Sequence, residues 1–196
     1  MTISKVSHWC RPFVPTEVSK ITGLSVRSLD RWWSLGVLRL RHGESNRHTP
    51  WQIAGLLILK LVPREYVNAN EFRRSMSRAT RSVVWYAIAS KPEAVEVTGD
   101  DEEVNFYRET IGDSDGEDGP STLSLLSRIP DVKVARFLVV NDSGRHLLAR
   151  EIAEVIDGAT HKARTIIDLA AIGRELAQHA NRALICVHIE RIHFDE

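Results

Sequence analysis

Serine and arginine side chains near the N-terminus have a spacing that suits DNA binding better than catalysis. Ser25, Arg27, Ser28 and Arg31 occupy the N-terminal, exposed positions of a predicted helix. Arginine can form two parallel hydrogen bonds with a guanine edge, and serine hydroxyls can reach phosphates. These four residues are therefore the candidate groups for reading a major groove.

A second basic group follows in the segment "VLRLRHGESNRH", which covers residues 37–48. Apolar and basic residues alternate before a turn-forming "HGESN", and this pattern predicts a short β-hairpin, or wing. Its candidate DNA-contacting residues are Arg39, Arg41, His42, Asn46 and Arg47. Along a sugar-phosphate backbone they would supply affinity that falls with salt. The alternative is a solvated hairpin without a partner.

Two predicted helices position the first basic group. "PTEVSKITGL" predicts a helix that Thr16 caps, and Gly23 stands where a tight turn needs a positive φ. Ser25 is the predicted N-cap of the second helix, which Gly36 ends.

Helical periodicity predicts which side of the second helix is buried. Val26, Leu29 and Trp33 recur at inward positions, whereas Trp32 lies about 100° further round. Trp32 either lies against the wing or DNA, or joins Trp33 in the core, and the need of a small domain for aromatic burial favours the core.

Two further helices are predicted downstream. Thr49 as N-cap, Pro50 at the first position and Gln52 at the third begin a helix over about residues 51–61. Its predicted inward residues are Ile53, Leu56, Leu57 and Leu61. The next helix covers residues 70–90, with inner positions at Phe72, Met76, Val83 and Ala87.

The order of these parts resembles a known family of DNA-binding domains. A helix, "TGLSVRSL", a second helix ending in "LGVL", a basic wing and a helix begun by threonine resemble the MerR-type winged helix-turn-helix and its excisionase-like relatives. The resemblance covers residues 13–62. It implies a DNA-binding domain, usually dimeric, in a transcription regulator.

Charge is distributed unevenly along the 196 residues, although the net charge is zero. Residues 1–81 carry 14 Lys and Arg against 5 Asp and Glu, whereas residues 82–120 carry 2 against 11. A basic unit favours a polyanionic partner. The two cysteines and the lack of a long apolar run predict a cytoplasmic protein without membrane contact.

The C-terminal half predicts a small α/β domain. Residues 134–140, 165–167 and 183–189 are predicted strands, and Asp168 is the predicted N-cap of a helix that completes a β-α-β unit. Residues 145–156 fit either one helix or a strand followed by a helix. His188 and His193 lack helical ligand spacing, and the acidic loop matches a calcium loop poorly.

Together these features predict an α+β fold. The expected units are a winged helix-turn-helix domain (1–66), a linking helix (67–97), an acidic flexible loop (98–122) and a small α/β domain (123–196). The C-terminal domain is expected to mediate dimerisation, to bind a protein partner or to sense a ligand. The predicted function is sequence-specific binding of double-stranded DNA by a homodimeric transcription regulator, with no catalytic site, metal or cofactor. The alternative is an antitoxin-like module whose C-terminal domain binds a partner protein.

Overall fold

Over the residues that it describes, the computed structural model is a mixed α+β fold with six α-helices and two three-stranded sheets. It describes residues 2–34, 47–63, 69–99, 102, 104–105, 134–141, 143, 145–157 and 163–193. In chain order the elements are β1 (Thr2–Cys10), α1 (Pro15–Thr22), α2 (Val26–Ser34), α3 (Pro50–Leu61), α4 (Ala69–Ser90), β2 (Val95–Gly99), β3 (Phe137–Asn141), β4 (His146–Ala149), α5 (Ile152–Asp157), β5 (Ala163–Asp168), α6 (Leu169–His179) and β6 (Ile185–His193).

The first sheet joins distant parts of the chain in the order β1-β6-β2. The β1 strand pairs antiparallel with β6 over its full length, from Thr2 opposite His193 to Cys10 opposite Ile185. Neither β1 nor β2 was predicted, and the segment assigned to the DNA-binding domain therefore contributes a strand to a sheet with the C-terminal segment. Residues 98 and 99, which were assigned to the acidic loop, belong to β2.

The second sheet has the order β4-β3-β5 and is antiparallel throughout. Residues 146–157 form a strand and then a helix, which settles the choice that the sequence left open. The predicted β-α-β unit is wrong, because β5 and β6 flank α6 in sequence but lie in different sheets. Both edges of β6 are already paired with β1 and β2, so β5 pairs with β3 instead.

Helices α1, α2, α3, α4 and α6 and both sheets share one large apolar core. It includes Leu29 of α2, Ile58 of α3, Val83 of α4, Leu176 of α6 and Leu138 of β3. Within α4, the predicted inner residues Met76, Val83 and Ala87 are buried, and the side chain of Phe72 lies outside the described part of the structure. In α3 the inward prediction is correct for Ile53, Leu56 and Leu57 and wrong for Leu61, which is 49% exposed in the last turn.

Helices α4 and α6 approach closely at Gly173. A Cβ atom at this position would lie 2.6 Å from the Tyr86 Cβ and 2.7 Å from the Val83 carbonyl oxygen. Ordinary Cβ contacts are much longer, so only glycine fits without movement of one helix. Asp168 begins α6 as predicted, since its carboxylate accepts hydrogen bonds from the backbone N–H groups of Ala170 and Ala171.

Arg182, in the segment before β6, contacts the beginning of α1. Its Nη2 donates to the Pro12 carbonyl at 2.6 Å and to the Glu17 carboxylate at 2.8 Å. The guanidinium also lies over the Phe13 ring, 4.6 Å from the ring centroid. The helix-turn-helix segment is thereby attached to the C-terminal part of the chain by polar contacts as well as by the shared core.

Candidate nucleic-acid interface

The turn between α1 and α2 is fixed by local backbone chemistry. Gly23 has a φ of 69°, and its N–H donates to the Ser19 carbonyl at 2.9 Å. The Lys60 ammonium, from α3, donates to the Thr22 carbonyl at 3.2 Å. A left-handed glycine and a cation at the helix C-terminus both stabilise this end of α1, so the predicted glycine turn is confirmed.

The predicted cap of α1 is wrong by two residues. Val14 is the N-cap and Pro15 occupies the first turn. The Glu17 carboxylate accepts a hydrogen bond from the Val14 N–H at 2.9 Å, which satisfies a donor that the helix leaves open. The proline therefore begins the helix before Thr16, as its fixed φ allows.

Helix α2 begins with the predicted serine cap. The Ser25 Oγ accepts from the Ser28 N–H at 3.2 Å, and the two hydroxyls lie 2.8 Å apart. Leu29 is buried, and the half-buried Trp32 packs against the core. These two apolar residues hold one side of the helix against the body of the protein.

The opposite side of α2 carries the predicted DNA-contacting residues. Arg27 and Arg31 are exposed, and so is Ser25, while Ser28 is partly exposed. Because Arg27 and Arg31 are four residues apart, they lie on the same face of the helix. Val26 was predicted to be inward and is instead 40% exposed, since it lies in the first turn beyond the contact that Leu29 makes.

Arg47 immediately precedes an isolated β-bridge between His48 and Phe13. The Phe13 N–H donates to the His48 carbonyl at 2.9 Å, and the His48 N–H donates to the Phe13 carbonyl at 2.8 Å. Arg47 is exposed immediately before the bridge. Four predicted wing residues lie outside the described residues, namely Arg39, Arg41, His42 and Asn46.

The next residues begin α3 as predicted. The Gln52 N–H donates to the Thr49 hydroxyl at 3.4 Å, and the Thr49 N–H donates to the Gln52 side-chain oxygen at 2.7 Å. This reciprocal capping, with Pro50 at the first position, fixes the direction in which the chain leaves Arg47.

His48 is buried at this bridge. Burial lowers the pKa of His48 below its ordinary value, and the negative charge of Asp30 on α2 opposes this shift.

Acidification is expected to destabilise the protein through His48. The unfolded chain, in which histidine has a pKa of about 6.5, binds the proton more readily than the folded chain does. The free energy of unfolding contributed by this difference is therefore fully present above pH of about 6.5 and decreases as the pH falls below it. Urea titrations at pH values from about 5 to about 7.5 measure the free energy of unfolding of the wild type and of His48→Gln. We expect it to decrease more steeply with acidification in the wild type. An identical pH dependence in both proteins would contradict this assignment.

A second polar cluster, on the outer face of the first sheet, was missed by sequence reasoning. The Arg11 guanidinium donates to the Glu96 carboxylate, and its Nε donates to the Cys186 Sγ at 3.3 Å. Glu96 lies directly opposite Cys186 in the parallel β2-β6 pair. Only the strand pairing brings these residues together, so no local signal in the sequence marks the cluster. Cys186 is buried as predicted, but beside an ion pair.

The polar residues of this face show no metal site. His188 Nδ1 lies 3.2 Å from the Thr98 hydroxyl, a pairing that follows from their opposite positions on β6 and β2. Among the residues that the structure describes, no three His, Cys, Asp or Glu side chains are arranged to hold a metal ion.

Comparisons with family models, curated proteins and solved structures found no match to this chain. Of the helices that the structure describes, none has both the length and the apolar character needed to cross a membrane.

Proposed function

We propose that this protein binds double-stranded DNA in a sequence-specific manner and regulates transcription. The observation that carries the proposal is the arrangement of α2. Its Leu29 and Trp32 side is held against the core, while Arg27 and Arg31 are exposed on the other side of the helix. A second helix that follows a tight turn and exposes cations is the arrangement by which helix-turn-helix proteins enter a major groove.

Each exposed group has a distinct role in this proposal. Arg27 and Arg31, one turn apart, would bond guanine edges on successive base pairs. The Ser25 and Ser28 hydroxyls are engaged in capping α2, so they would contribute by orienting the helix N-terminus towards a phosphate. Arg47 would contact the backbone and carry no base preference.

The charge distribution supports a polyanionic partner for this part of the chain. Besides the arginines of α2, Arg78 and Arg81 on α4 are exposed, in a region where basic residues outnumber acidic ones by 14 to 5. Such a surface increases the rate of encounter with DNA and makes binding sensitive to salt.

The finer parts of the proposal follow from the sequence resemblance. A MerR-like wing over residues 37–48 would extend the contact surface. Two copies would read the two halves of a palindromic operator, as the two-fold symmetry of such sites requires.

Selection of bound sequences from random duplexes, followed by affinity measurements, tests this function. We expect Arg27→Ala and Arg31→Ala each to weaken binding to the selected site by about 1–3 kcal/mol, with less discrimination at one base pair. Arg47→Ala should weaken binding to selected and random duplexes alike and reduce the salt slope by about one unit. The matched control is Arg174→Ala, which removes an exposed arginine from α6 and should leave the affinity unchanged.

Two results would overturn the proposal. One is selection that returns no enriched sequence at either low or physiological salt. The other is an equal loss of affinity for Arg31→Ala and Arg174→Ala, which would indicate attraction by net charge instead of recognition by α2.

A further inference from the structure

The outer face of the second sheet is apolar and only partly covered. On the central strand β3, Val139 lies opposite both Leu147 of β4 and Ile166 of β5. Side chains directly opposite one another on paired strands point to the same face. The neighbouring row, with Leu138 and Ile167, is buried in the main core. The row containing Val139 therefore faces away from the core.

Helix α5 covers only the centre of this face. Its Val155 packs with Val139, Phe137 and Ala149 in a small separate cluster. Four aliphatic side chains around the cluster remain exposed, with exposed fractions of 49% for Leu147, 48% for Ile166, 47% for Ile152 and 66% for Ile156. Ile152 and Ile156 are one turn apart and continue the apolar surface along α5. A group of this kind on one face is typical of an interaction site.

The charges around this apolar surface are of both signs. Exposed Arg145 and Arg150 lie at the two ends of β4, and exposed Glu151 and Glu154 begin α5. A strongly acidic or basic partner would be repelled by half of these groups. A second copy of the same surface, related by a two-fold axis, can place each arginine near a glutamate of the other copy.

The dimensions of this surface also suit an interface between two copies. Three strands about 4.8 Å apart and about five residues long span roughly 15 by 20 Å with their side chains. That apolar area is smaller than the roughly 800 Å² that each partner contributes to a standard interface. An apolar area of this size corresponds to the centre of a standard interface, in which a polar rim supplies the remaining area.

We propose that this sheet face, centred on Leu147, Ile152, Ile156 and Ile166, is the surface through which two copies of the chain form a dimer. Helices α4 and α6 separate this sheet from α1 and α3, because α4 contacts β4 and α6 contacts β3, α1 and α3. Dimerisation through this face would therefore leave α1 and α3 uncovered. The proposal stands on the sheet face alone and does not depend on DNA binding.

Sedimentation equilibrium of the full chain without DNA, over roughly 1–200 µM, tests this surface. We expect the wild type to approach twice its 22.1 kDa monomer mass. The double variant Ile156→Glu and Ile166→Glu should raise the dimer dissociation constant by about 100-fold, because like charges would face each other across the axis. Leu61→Glu is the matched control, since Leu61 is equally exposed on α3 and should not affect the mass.

The circular dichroism spectrum and the melting temperature of each variant show whether it is folded. The dimer dissociation constant of the double variant is compared with that of the wild type only if the double variant is folded. A wild type that remains monomeric at the highest concentration would overturn the proposal. The proposal would also be overturned if the folded double variant dimerised as tightly as the wild type. Equal weakening of the dimer by Leu61→Glu and by the double variant would overturn it as well.

Discussion

Alanine in place of Gly173 is expected to destabilise the protein by about 2–3 kcal/mol, although alanine favours a helix more than glycine by about 1 kcal/mol. The added Cβ would lie 2.6 Å from the Tyr86 Cβ and 2.9 Å from the Ala87 nitrogen. Two of the three nearest atoms belong to the α4 backbone, so no side-chain rotation relieves the contact. Helices α4 and α6 must move apart, and the packing between them is weakened.

Thermal and urea unfolding measure this effect. A loss of about 2–3 kcal/mol corresponds to a decrease in Tm of roughly 5–10 °C for a chain of this size. Gly23→Ala is the matched control, because a Cβ there would meet only the Lys60 ammonium, at 3.8 Å. That change should cost about 1 kcal/mol, from the positive φ alone. A Gly173→Ala protein as stable as the wild type would show that α4 and α6 are further apart than this structure has them.

Loss of the Arg182 side chain is expected to cost about 2–3 kcal/mol. Arg182→Ala removes the hydrogen bond to the Pro12 carbonyl, leaves the Glu17 carboxylate with the Val14 N–H as its remaining named donor, and uncovers the Phe13 ring. The side chains of Arg182 and Glu17 are 31% and 25% exposed. We therefore expect this ion pair to contribute more to the free energy of unfolding than a surface pair does, while breaking it costs less than breaking a fully buried pair.

A double-mutant cycle separates the ion pair from the rest of the contact. Arg182→Met keeps most of the packing, and its combination with Glu17→Gln should reveal a coupling energy of about 1–2 kcal/mol. Lys5→Ala provides the control, because the Lys5 Nζ and the Glu190 Oε2 are 4.0 Å apart and both side chains are well exposed. Loss of this ion pair should lower the free energy of unfolding by less than about 0.5 kcal/mol. Equal effects of Arg182→Ala and Lys5→Ala would contradict the role assigned to Arg182.

Most of the turns and helix ends that local chemistry determines were predictable from the sequence, with the cap of α1 as an exception, since Val14 and not Thr16 begins that helix. Gly23 at the turn, Ser25 at the start of α2, the capping pair of Thr49 and Gln52, and Asp168 before α6 all stand where they were expected. Each is a contact within four residues, so its signature is contained in a short stretch of sequence.

The features that the sequence did not reveal depend on pairing between distant residues. β1 and β2 are recognisable only once β6 lies between them, and the Arg11, Glu96 and Cys186 cluster exists only because of that pairing. The placement of β5 and β6 in separate sheets was missed for the same reason. Helical periodicity also predicted burial wrongly at the ends of helices. Val26 in the first turn of α2 and Leu61 in the last turn of α3 lie beyond the core and are exposed.

For the candidate site, the sequence predicted the exposure of Arg27, Arg31 and Arg47, and all three are exposed. It did not predict that His48, next to Arg47 in the chain, would be buried, because nothing local indicates the bridge to Phe13. DNA binding itself stays a prediction.

The pairing of β1 with β6 has a consequence for biosynthesis. The ribosome completes β6 after every other described strand, and until then β1 and β2 have no partner in this sheet. Contacts between such distant residues slow folding, since the intervening chain must first be ordered. The segments of β1 and β2 in the nascent protein would therefore remain unpaired until β6 is synthesised. Unpaired strands are prone to aggregation, so molecular chaperones would be needed most during this period.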